Sequence, residues 1–113
     1  MRNRARGLIV ATDCRTADTF LSRGIGLILH RRLADGEALL ITKTSSITMF
    51  FMRFAIDAIF VDGGGRVLKV APDIRPWVPM VAARGARDVI ELAAGTCART
   101  GTQAGDDLVF EDP

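Results

Sequence analysis

Arg53, Asp57, Trp77 and Glu91 are the side chains whose types and settings could carry chemistry in this sequence. Arg53 and Asp57 lie inside M-F-F-M-R-F-A-I-D-A-I-F-V, Met49 to Val61, which is otherwise apolar. Charged residues enter such runs when they are paired or when the segment keeps an exposed edge. A guanidinium at Arg53 offers a planar fork to a carboxylate or phosphate, and Asp57 could orient that ligand or accept a hydrogen bond from it. Trp77 stands in R-P-W-V-P, where a single tryptophan either covers an apolar part of a ligand or anchors a partner. These residues, with Glu91, describe a non-enzymatic small-ligand or protein-binding module. The alternative is a small enzyme using Asp57 or Glu91 as acid or base, with Arg53 stabilising a developing anion.

Arg53 and Asp57 are four residues apart. On a straight strand they share a face at roughly 13 Å, too far to pair, whereas on a helix they stand about 6 Å apart. Either the chain bends between them or they reach separate partners, among which Glu91, Arg84 and Arg87 are candidates. A third reading makes the charges a partly buried network that fixes strand register and binds nothing.

Other chemistries find little support. His30 is the only histidine, which excludes a multi-histidine metal site. Ser45 and Ser46 lack a nucleophile elbow, and G-I-G-L-I-L lacks the third glycine of a dinucleotide fingerprint. Asp57, Asp62 and Glu91 could group as a carboxylate or hard-cation site, but acids at strand ends are more often solvated or paired with arginine. No metal and no cofactor are expected. Cys14 and Cys97 form neither a C-x-x-C motif nor a zinc knuckle, and two free thiols are expected. The net charge of +2 does not announce nucleic acid, although arginines crowd the start and acids the end. No run approaches a membrane span, and the apolar stretch before Asp13 is too short for a secretory core. The expectation is a cytoplasmic protein with an unidentified small ligand or protein as partner.

The elements that must position these residues are short. With 49% apolar and 25% charged residues, 113 residues make one domain, 1–113, in which residues 1–6 read as a flexible basic arm. Gly7 to Thr12 reads as a first strand. Thr16 to Gly26 reads as a helix, with Thr16 as N-cap and Phe20, Leu21 and Ile25 on one face. Ala38 to Thr42, Ile47 to Met52 and Ile56 to Val61 are strand-like, and D-G-G-G at Asp62 to Gly65 supplies the positive φ angles of a tight turn into Arg66 to Ala71. Pro72, Pro76 and Pro79 predict an extended loop that cannot be a central strand. Ala86 to Ala93 resumes strand character, A-A-G-T and G-T-Q-A-G-D-D are turns, and Leu108 to Phe110 closes the chain. The fold class is therefore mainly β: a small antiparallel β-sandwich or barrel of six to seven short strands with one short helix.

S-I-T-M-F-F-M-R-F-A-I-D-A-I-F-V-D-G-G-G-R-V, followed in order by R-P-W, R-G-A-R-D-V-I-E-L-A-A-G and a closing G-D, resembles the family called Domain of Unknown Function 192. The resemblance spans nearly the whole chain and is specific as an ordered set. It implies a small, mostly β domain and no assigned biochemical role. Met52, Arg53, Asp57, Asp62, Glu91 and Gly105-Asp106 match the pattern. Thr44 and Thr48 stand where similar sequences often carry cysteine and histidine, which puts thiol or imidazole chemistry there in doubt. Ala55 replaces a frequent proline, which suggests a strand break between Met52 and Ile56.

Overall fold

The computed structural model describes residues 1–3, 8–9, 13–17, 37–49 and 54–109. They form β1 (Arg2–Asn3), β2 (Leu8–Ile9), β3 (Asp13–Ala17), β4 (Glu37–Ile41), β5 (Ser46–Ile47), β6 (Ile56–Val61), β7 (Val67–Ile74), β8 (Val81–Ala82), β9 (Asp88–Ala93), α1 (Thr96–Thr100) and β10 (Leu108–Val109). The chain is mainly β with one short described helix. Its strands outnumber the six or seven expected because five of them are two-residue pieces.

The main sheet has the order β3-β4-β9-β6-β7. Its centre follows from I-D-A-I-F-V and D-V-I-E-L-A, near-continuous apolar runs that suit strands covered on both faces. All of β6 and most of β9 are buried. Alternation along the strands sorts their side chains into two clusters. Ile56, Ala58, Phe60, Val89 and Ala93 pack with Ile41, Ile47, Met49 and Ile74 on one face. Ile59, Val61, Ile90 and Leu92 pack with Met1, Val67, Cys97 and Leu108 on the other. β5 and β8 form a two-stranded ribbon whose Ile47 joins the first cluster.

Several expectations are corrected. Thr16 is no helix N-cap, because Asp13–Ala17 is a strand paired in parallel with β4; residues 18–26 of the expected helix lie outside the described residues. The sheet is therefore mixed. The described helix falls instead at Thr96–Thr100, at the end of the A-A-G-T segment, whose Ala94 and Gly95 form the expected turn. Met1–Asn3 is not a free arm: β1 pairs with both β2 and β10, and Asn3 is fully buried. Pro72 lies inside β7 because that strand is the sheet's edge, where a missing donor is tolerated.

The β6–β7 hairpin turns where expected, but only Gly65 of its three glycines has positive φ, at 87°. Asp62 Oδ1 closes the turn by accepting from the amides of Gly64 at 2.9 Å and Arg66 at 3.0 Å. A Cβ on Gly65 would stand 2.5 Å from the carbonyl oxygen of Leu108, so the turn is pressed against β10.

Candidate functional site

Asp57 is fully buried, and its partners are backbone amides. Oδ1 accepts from Asp73 N at 2.8 Å and Gly95 N at 3.2 Å, and Oδ2 accepts from Cys97 N at 2.8 Å. Each donor has a local reason to need it. The β6–β7 register shifts between Ile56 and Ala58, which leaves Pro72 and Asp73 as an irregularity opposite Asp57. Asp73 takes a left-handed φ of 49° there, and the Asp57 carboxylate replaces the lost ladder partner. At the other end, α1 begins at Gly95 with no side-chain cap of its own. Asp57 caps it from 40 residues earlier in the chain. Both oxygens of Asp57 are thereby committed to holding β6, β7 and α1 together. Neither Arg84 nor Arg87 reaches it.

Glu91 lies on β9, opposite Leu39 of β4 and Ala58 of β6. Because Asp57 faces Leu92 in the register and Ala58 faces Glu91, alternation sends the two carboxyls to opposite faces of the sheet. One site lined by both is therefore not what the sheet provides. Glu91 is 5% exposed and sits on the side of Met49, Phe60, Val89 and Ala93. Among the described residues no hydrogen bond reaches its carboxyl. Burial alone pushes that carboxyl up from its ordinary 4.5 to about 8.

Trp77 is on the same side as Glu91, in the loop after β7. Its amide donates to Met49 O at 2.8 Å, and Met49 N donates to Val78 O at 3.0 Å. Val78 and Val81 pack on the first cluster, whereas Trp77 is 56% exposed and Met80 64%. Trp77 holds φ at 71°, a left-handed conformation that is a genuine outlier for a bulky residue. Met80 carried no sequence signal apart from lying beside Pro79.

Arg53 lies outside the described residues, as do His30 and the side chain of Cys14. Cys97 is a free, buried thiol. Burial first, then the charge of Asp57 and a hydrogen bond to its side chain, push this thiol up to about 12. Among the described residues no group of three His, Cys, Asp or Glu side chains could hold a metal ion. Asp106, from the closing G-D, is buried and accepts from Asn3 Nδ2 at 2.9 Å and Gln103 N at 3.0 Å, a knot that ties the first residues to the last turn.

The model of the Domain of Unknown Function 192 family, described as an uncharacterized ACR, matches residues 1–110. The chain belongs to this family. Similar chains within it include a UPF0127 protein of Thermococcus sibiricus, 30% identical across 96% of this chain and 73% of that protein. A UPF0127 protein of Pyrococcus horikoshii is 32% identical across 82% of this chain and 83% of its own length. A crystal structure of a protein of unknown function from Novosphingobium aromaticivorans shares the fold, with a TM-score of 0.78 at 25% identity over 86% of this chain and 74% of that one. For this member of the Domain of Unknown Function 192 family, the matched residues Asp57, Asp62 and Asp106 all receive backbone amides. Glu91 is the exception among the described acids that match.

Proposed function

We propose that the chain is a non-enzymatic binding module whose contact surface is the proline-rich loop after β7, carrying Trp77 and Met80. The observation behind this reading is Trp77, held in a left-handed conformation with more than half of its surface in water. Such backbone strain is worth about 1–3 kcal/mol and gathers at ligand clamps and binding loops. More than half of Trp77 is left in water, and exposed Trp is a frequent interface anchor. The carboxyls fit the same reading: Asp57 has given both oxygens to amides, and Glu91 is nearly closed to solvent. No described helix is long and apolar enough to cross a membrane. The free Cys97 thiol suits a reducing compartment, and the cytoplasm is the location we propose.

Two measurements on one substitution test this. Trp77→Gly should leave the denaturation midpoint unchanged or raise it, since glycine adopts positive φ without strain. A photoreactive side chain placed at Met80 should cross-link a partner in cells, and the cross-link should vanish when Trp77→Gly is added. A loss of more than about 1 kcal/mol of stability would make Trp77 part of the core. Cross-links that persist without Trp77, or none at all, would equally defeat the proposal.

A further inference from the structure

Resting on that reading, we infer that the partner presented to this loop is an acidic, extended protein segment with an apolar anchor residue. The chain from Ile74 to Arg87 contains Arg75, Arg84 and Arg87 and no acidic residue. Its backbone runs antiparallel to residues 45–49: Trp77 N bonds Met49 O, Ile47 pairs with Val81, Ser46 with Ala82, and Ala83 N bonds Ser45 O. Val78, Val81 and Ala83 turn to the core, while Trp77, Pro79, Met80, Ala82 and Arg84 stay exposed. This makes a linear strip up to about 20 Å long, the reach of six or so extended residues, with apolar groups at one end and cationic groups at the other.

Of the acids along its margins one is in an ion pair, and two accept from backbone amides and keep their charge. Asp73 pairs with Arg75 at 3.0 Å, Asp62 accepts from the amides of Gly64 and Arg66, and Asp88 accepts from Lys43 N at 3.1 Å. Among the described residues no carboxylate forms an ion pair with Arg84 or Arg87, both of which are exposed. The strip therefore presents Trp, Met and Arg, the residue types enriched at protein interfaces, and offers two exposed guanidinium groups that no described carboxylate pairs with. A nucleic-acid site would call for a wider basic face with interleaved aromatics, and the strip has one ring.

The test is selection of a phage-displayed random peptide library on the full chain, with Trp77→Gly and the double variant Arg84→Glu/Arg87→Glu as counter-targets. Enriched peptides should be rich in Asp and Glu around an apolar residue. They should lose roughly tenfold or more in affinity against the double variant at low salt, with the gap closing at high salt. Both arginines are exposed side chains, so circular dichroism and the melting midpoint of the double variant should match wild type. Peptides that need Trp77 but are neutral or basic would overturn the acidic class while leaving the loop a binding surface. Peptides indifferent to Trp77 would overturn both. Two further probes are phosphatidylserine vesicles and oligodeoxythymidine: Trp77-dependent binding to either, without peptide enrichment, would refute a protein partner.

Discussion

Glu91→Gln should flatten the pH dependence of stability across the range in which this carboxyl titrates. In the unfolded chain Glu91 releases its proton near its ordinary value of 4.5, whereas in the folded protein it keeps that proton until about pH 8. Between those values the folded state holds more protons than the unfolded one, so stability falls as pH rises. The penalty is absent below about pH 4.5, grows through the window and is complete above about pH 8. At about 1.4 kcal/mol per unit, a shift of roughly 3.5 units is worth up to about 5 kcal/mol at alkaline pH and about 3 kcal/mol near neutrality. Glutamine keeps the shape and cannot ionise, so it removes the slope and leaves only a constant offset from its own buried amide. Urea unfolding followed by far-ultraviolet circular dichroism, at intervals from pH 5 to 9, reads the two curves. Wild type should lose ground to Glu91→Gln steadily across that range. Parallel curves would refute the reasoning and show that Glu91 ionises on folding as freely as in water.

Asp57→Ala strands three amide donors, of Asp73, Gly95 and Cys97, and should destabilise by about 3–5 kcal/mol in denaturant unfolding; a change under 1 kcal/mol would mean that water replaces the carboxylate at no loss. Gly65→Ala should lower stability by at least about 2 kcal/mol, because a methyl group must meet the Leu108 carbonyl at a positive φ, and a neutral melting shift would contradict that crowding. Cys97 should resist aromatic disulfide reagents at pH 8 in the folded state and react at once in denaturant, since burial and Asp57 oppose its thiolate; rapid native labelling of Cys97 would contradict its placement.

What the sequence disclosed depended on whether the cause was local. I-D-A-I-F-V followed by D-G-G-G marks a buried strand and its turn within one short window, and β6 and its hairpin appear where those residues put them. The A-A-G-T turn is where its residues put it, but the α1 that follows in T-C-A-R-T has no side-chain cap of its own to announce it; its cap is Asp57, distant in the chain. The partners of Asp57 escaped reading for the same reason, being main-chain amides with no residue type to betray them. That Asp57 and Glu91 face opposite ways depends on the β6–β9 register, and a slip of one residue would have put them together. The β3–β4 pairing is parallel, which no pattern of five residues announces. Trp77 was legible as either a lid or an anchor, and its 56% exposure depends on tertiary packing that the loop's own residues do not announce.

The irregular stretch of β7 also bears on whether one sheet edge can join another. Among the described residues β7 is the outermost strand beside β6; Val67 at its start is bonded to Gly105 and Asp106, and the outer side beyond it is a row on which another chain's strand could grow. Pro72 offers no donor there, the left-handed turn at Asp73 bends the row out of line, and the exposed Arg75–Asp73 ion pair would have to shed water before a flat strand could dock. Lys69 on the same strand is exposed and reaches across to Ala82 O, blocking a straight approach. Because the Asp57 carboxylate holds Asp73 in that kink, loosening it would do more than soften the fold. It would remove one of the features that keep this border irregular and favour edge-to-edge pairing between molecules.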